Sequence, residues 1–164
     1  MRSARIAACL LALSLPVMAQ AQAQVAFGGL KHDSTLPVEI TADQLNVDQA
    51  DGSATFVGNV QIGQGEMRLS AGQVKVEYAT GADTTGEISR LLASGGVTLV
   101  NGAEAAESRD AVYTISSGVI VMTGDVILTQ GQNALSSEKL TVNLKSGTGT
   151  MDGRVKSIIQ TGAN

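Results

Sequence analysis

The 164-residue sequence contains no tryptophan, two phenylalanines, two tyrosines, one histidine and one cysteine. Each shortage excludes something. Cys9 lies inside an N-terminal apolar run, and without it the chain has no disulfide framework, thiol nucleophile or thiolate metal site. His32 stands ahead of the first patterned segment, a poor start for a Ser-His-Asp triad or a histidine zinc site. "GAEAAES" and "GTGTMDG" lack the Gly-Lys-Ser/Thr ending of a phosphate loop, and "GQGEMR" does not complete a dinucleotide fingerprint. Asp48 with Asp51, and Glu104 with Glu107, are spaced for acid-base work, but both pairs fall in polar turn segments where carboxylates are ordinarily solvated. "DQADG" lacks the ligand spacing of a calcium loop. The sequence therefore predicts no catalytic residue, no cofactor and no metal site. A formal net charge of −4, with no basic run, argues against a nucleic-acid partner.

What is present begins with a targeting signal. "MRSARIAACLLALSLPVMAQAQAQ" has two arginines, an apolar run from Ile6 to Val17 and small residues at A-x-A spacing, which predicts a cleavable signal peptide over 1–23. Cleavage after Ala19, Ala21 or Ala23 satisfies the spacing equally. A lipobox cysteine follows the apolar region, whereas Cys9 sits within it, so a lipid anchor is not expected. Loss of Arg2 and Arg5 takes the exported chain to −6. No later segment approaches the roughly 20 apolar residues of a membrane helix. Residues 24–37, with "FGG" and Pro37, read as a flexible lead-in.

From Val38, short runs of Val, Ile, Thr and Leu alternate with Gly, Asn, Asp and Ser, and none sustains a helical period. That predicts an all-β domain over 38–160. Gly58, Gly95, Gly124 and Gly153 head copies of one phrase at intervals of 37, 29 and 29 residues, so the unit is about 29 residues long. The extra length of the first interval falls in the polar "ATGADTTG". Within the first phrase Phe56, Gly58, Val60 and Ile62 share an apolar face. In the second phrase the face flips, from Leu69 and Ala71 to Val74 and Val76, and likewise from Leu135 to Leu140 and Val142. Such a flip keeps one face inward only through a β-bulge, which bends the strand. Two curved layers, or one wrapped sheet, would enclose these faces. With so few aromatics such an interior fills poorly unless it is thin or holds something. The glycines mark either strand bends or places where another group approaches closely.

The ordered set "ITADQLNVD", "GSATFVGNVQIGQG" and "LSAGQVKVEY", continued by "GVIVMTGDVILTQGQNALSSEKLTVNL", resembles the OstA-like family, and within it the soluble periplasmic bridge of lipopolysaccharide export. The resemblance implies a single open β-jellyroll of stacked antiparallel strands whose apolar interior holds the acyl chains of lipid A. It further implies end-to-end joining with an anchored inner-membrane partner and an outer-membrane translocon that carry related domains, and end-to-end joining of copies. On that footing the inward residues Phe56, Val60, Ile62, Leu69, Val74, Val76, Val97, Leu99, Tyr113, Met122, Val126, Leu128, Leu140 and Val142 line the lipid path or form plain core. The free edges holding Ile40, Leu45 and Val47 at one end, and Val155 and Ile158 at the other, are the expected docking surfaces. A β-solenoid spacer without lipid is the alternative; an enzyme on the same scaffold would need clustered inward carboxylates, which the alternation does not show.

Overall fold

A computed structural model describes residues 23–26, 32–80 and 86–159; the predicted signal segment up to residue 22 lies outside them. Among the described residues there are thirteen strands: β1 (Ala23–Ala26), β2 (Glu39–Thr41), β3 (Gln44–Val47), β4 (Ala54–Gln64), β5 (Met67–Tyr78), β6 (Ile88–Ser94), β7 (Val97–Asn101), β8 (Glu104–Ser108), β9 (Asp110–Thr114), β10 (Val119–Gln130), β11 (Asn133–Asn143), β12 (Thr148–Asp152) and β13 (Lys156–Ile158). All their pairings are antiparallel.

The register resolves this sheet into two layers. One runs β2, residues 60–64 of β4, 67–71 of β5, β7, β8, 126–130 of β10, 133–137 of β11, then β13. The other runs β3, 54–57 of β4, 73–78 of β5, β6, β9, 119–123 of β10, 139–143 of β11, β12, then β1. Each described crossing from β2 onward falls on the same side, at a corner. There β4 and β10 slip register between Val57 and Val60, and between Thr123 and Val126. Two residues, Gly58 and Asn59, oppose the one residue Gly72, and Gly124 with Asp125 oppose Glu138.

The predicted bulge is therefore real but distributed over both phrases. The first phrase inserts two residues and keeps its parity; the second inserts one and flips. The glycines are spent on the bend. Gly58, Gly95, Gly124 and Gly153 have φ of 80°, 81°, 85° and 80°, and each is followed by a second residue of positive φ. A Cβ on Gly58 would lie 2.6 Å from an Asp43 carboxylate oxygen, and one on Gly72 would lie 3.0 Å from the Gly95 carbonyl. Corner amides are satisfied across the strands, with Asp43, Arg109 and Glu138 donating to Gly58, Gly124 and Gly153 carbonyls at 2.9–3.0 Å. The row of glycines is a hinge line rather than a row of openings for a ligand.

On the opposite side the layers end in hairpins that do not cross. In the first layer these are two-residue turns beginning at Gly65, Gly102 and Gly131, with φ of 55°, 59° and 58°. Positive φ at the first central residue is the geometry of the right-twisted hairpin that favours glycine. This uncrossed side is the mouth of the roll.

Candidate functional site

Alternation on each bent strand sends one set of side chains between the layers. Val60, Ile62, Leu69, Val74, Val76, Val97, Leu99, Tyr113, Met122, Val126, Leu128, Leu140 and Val142 form one continuous cluster there, each at most 2 % exposed. Phe56 belongs to its margin and is only partly buried. Met67, Leu91, Ile120, Leu144 and Met151, with five alanines, fill out the interior. Met67 shares the phase of Leu69, and Leu144 that of Leu140 and Val142. Burying a Leu, Ile or Met side chain is worth about 1.5–3 kcal/mol, so this packed seam is the main attraction between the layers.

The apolar phase changes character at the mouth. Val60 and Ile62 are followed in phase by Gln64, Val97 and Leu99 by Asn101, and Val126 and Leu128 by Gln130. Gln64 and Asn101 are 1 % and 2 % exposed, and the Gln130 amide donates to Glu104 at 2.9 Å. The inner rim of this layer is thus lined by amides, while Ile88, Ile115 and Leu144 at the facing rim are apolar. Glu104 departs from the expected solvated turn residue: it is half-buried on β8, and its second carboxylate oxygen is buried without a partner. Glu107 is exposed, so the two do not form an acid-base pair. Asp48 and Asp51 behave as turn residues, accepting from the Ala50 and Ser53 amides. Hydrogen bonds from Ser53, with Lys75 beside it, hold the Asp51 carboxyl well below the usual carboxylate range.

Gln64 is the node that sequence reasoning missed. Its Oε1 accepts from the Tyr113 hydroxyl at 2.8 Å, a buried bond joining the two layers. Its Nε2 donates to the carbonyls of Ser34 and Leu36 at 3.0 and 2.8 Å. Burial pushes the Tyr113 hydroxyl up to about 12. Residues 32–37 of the expected flexible lead-in are thereby tied to the roll, and the His32 amide donates to the Leu144 carbonyl at 2.9 Å. Earlier in the same segment, β1 covers the outer edge of β12. Continuation of the inward phase through 60, 62 and 64 was the available signal, and a neighbouring glycine turn concealed it.

At the two ends, among the described residues, β3 and β2 pair only with β4, and β13 only with β11. Leu45 and Val47 are 51 % and 66 % exposed, and Val155 and Ile158 are 38 % and 55 % exposed. Ile40 differs from them, being half-buried against the interior. Among the described residues no cluster of His, Cys, Asp and Glu could hold a metal ion, and no helix is long and apolar enough to cross a membrane.

Comparison with known proteins follows this geometry. Residues 39–148 match the family described as LptA/(LptD N-terminal domain) LPS transport protein. An uncharacterized protein of Rhizobium meliloti (strain 1021) is 32 % identical over 136 residues, covering 78 % of this chain and 73 % of its own. Among solved structures, LptH of Pseudomonas aeruginosa, the LptA-homologous periplasmic component of its lipopolysaccharide transport device, superposes with a TM-score of 0.68 at 16 % identity. That match spans 78 % of this chain and 98 % of LptH, and shows a shared fold. Two bent layers of antiparallel strands around an apolar interior are thus the form this sequence takes as a member of a known group, and the chain belongs to the LptA/(LptD N-terminal domain) LPS transport protein family.

Proposed function

We propose that this protein is a periplasmic carrier that shields the acyl chains of lipid A between its layers and passes lipopolysaccharide from an inner-membrane export partner toward an outer-membrane translocon. The observation that carries the reading is the unbroken apolar seam, running the length of the roll and bounded at the mouth by an amide rim. An amphiphile with several acyl chains needs such a surface, because each methylene removed from water is worth about 0.8 kcal/mol. The rim amides suit its polar part, donating and accepting without fixing a charge. Edges at β2, β3 and β13 that carry no further strand among the described residues, with Leu45, Val47, Val155 and Ile158 exposed beside them, suit end-to-end strand pairing with related domains or with a second copy. The predicted signal peptide supports a periplasmic location.

One observation favours the spacer reading: the seam residues are already packed against one another and buried. Photo-crosslinking in cells separates the two. With a photoreactive residue at Val60, Leu99, Leu128 or Leu140, the carrier gives lipopolysaccharide adducts at several positions. Folded protein that gives none at any of them removes the carrier reading and leaves the spacer.

A further inference from the structure

Among the described residues the layers are joined by bent strands along the corner side and by no strand at the mouth. At the mouth, hydrogen bonds among the described residues make two connections. One is the direct bond from Tyr113 to Gln64. The other runs through residues 32–37: the His32 amide holds the Leu144 carbonyl in one layer, and the Ser34 and Leu36 carbonyls are held by Gln64 in the other. The His32 ring and the Leu36 side chain also rest on the Gly65 turn, where an added Cβ would lie 2.8 and 2.9 Å from them. This strap is flanked by β1, on the last edge of one layer, and β2, on the first edge of the other. It therefore lies across the mouth.

We propose that residues 32–37 are a latch: they hold the mouth shut over the packed seam and release it when acyl chains enter. The trigger rests on the carrier function proposed above; the latch geometry does not. Three properties suit a part made to let go. The strap carries no ladder of its own, so few bonds are exchanged. Two of its anchors converge on one side chain, so loss of Gln64 frees both carbonyls together. The His32 Nε2 is buried with no partner, so the closed state leaves one polar atom that opening would hydrate. The corner glycines opposite supply the pivot, and a roll hinged on one side and latched on the other can be dry when empty and open when loaded.

The test places spin labels at Glu66→Cys and Ser116→Cys, on exposed turns at facing sides of the mouth, in the full chain with Cys9→Ser. Without lipid, Gln64→Met is expected to lengthen and broaden the label separation by several ångströms. Leu36→Ser, at a half-exposed position that cannot unfold the roll, is expected to do so to a smaller extent. Purified lipopolysaccharide added to the parent should produce the same lengthening, and speed hydrogen exchange at the His32 amide about tenfold or more. Separations in both variants equal to the parent's overturn the latch. Lipopolysaccharide that binds with neither the separation nor the His32 exchange altered also overturns it and leaves the carrier standing. A parent that binds no lipopolysaccharide, with the mouth open in Gln64→Met, removes the carrier and keeps the latch as a structural closure.

Discussion

Replacing Tyr113 by phenylalanine deletes one atom and separates two effects. At neutral pH the loss leaves the Gln64 Oε1 without its donor at a residue only 1 % exposed. An acceptor stranded in this way costs about 1–3 kcal/mol, a sizeable part of the roughly 5–15 kcal/mol that holds a domain together. The second effect is in pH. Burial raises the Tyr113 hydroxyl to about 12 in the folded chain, against about 10 when unfolded. A folded pKa above the unfolded one means that the tyrosine's contribution is whole below pH 10 and falls away as pH climbs toward 12. Two units correspond to about 2.7 kcal/mol as an upper bound. The phenylalanine variant has no such proton to lose. Urea unfolding followed by far-ultraviolet circular dichroism from pH 7 to 12 should show the parent more stable at pH 7 and the gap closing above pH 10. Other titrating groups are common to both chains and cancel in the difference. A gap that is absent at pH 7, or constant from pH 10 to 12, refutes the account of Tyr113 as a buried, protonated bridge between layers.

Gly58→Ala should cost about 1–3 kcal/mol through its φ of 80°, and adding Asp43→Ala, which removes the carboxylate over it, should recover only a small part in thermal melts. Full recovery would show that the crowding, and not the backbone, requires the glycine. Leu128→Ala, at a position 0 % exposed in mid-seam, should destabilise by about 2–5 kcal/mol in urea titration. A loss below about 1 kcal/mol would mean that the layers are not held by this packing. Ile158→Asp, exposed on the β13 edge, should leave unfolding unchanged within about 0.5 kcal/mol while reducing end-to-end association in sedimentation. Unchanged association would place the contact elsewhere.

Much of the interior was legible because a strand has a period of two. Once one inward residue of a phrase was known, Val60 gave Ile62 and Val126 gave Leu128. The same rule, carried one step further, gives Gln64, Asn101 and Gln130. Those were passed over because a polar residue beside a turn glycine reads as solvent-facing. The bends were legible from the parity flip, but not their construction. Whether Gly58 is a gap for a ligand or a left-handed corner depends on which residue of the neighbouring strand lies over it, and Asp43 is distant in sequence. The contacts of residues 32–37 are hidden for a related reason: "HDSTLP" has no strand pattern, and what holds it is a glutamine in a different element.

The amino-acid sequence by itself determined the all-β class, the repeat of about 29 residues and the inward face of the strands. These follow from local periodicity and composition, which act at short range along the chain. Tertiary structure alone decided that the seam is packed shut, that β1 covers β12, and that Gln64 binds Tyr113 and the strap together. Each depends on bringing separate segments within hydrogen-bonding or van der Waals distance across two layers, and no local pattern encodes that approach.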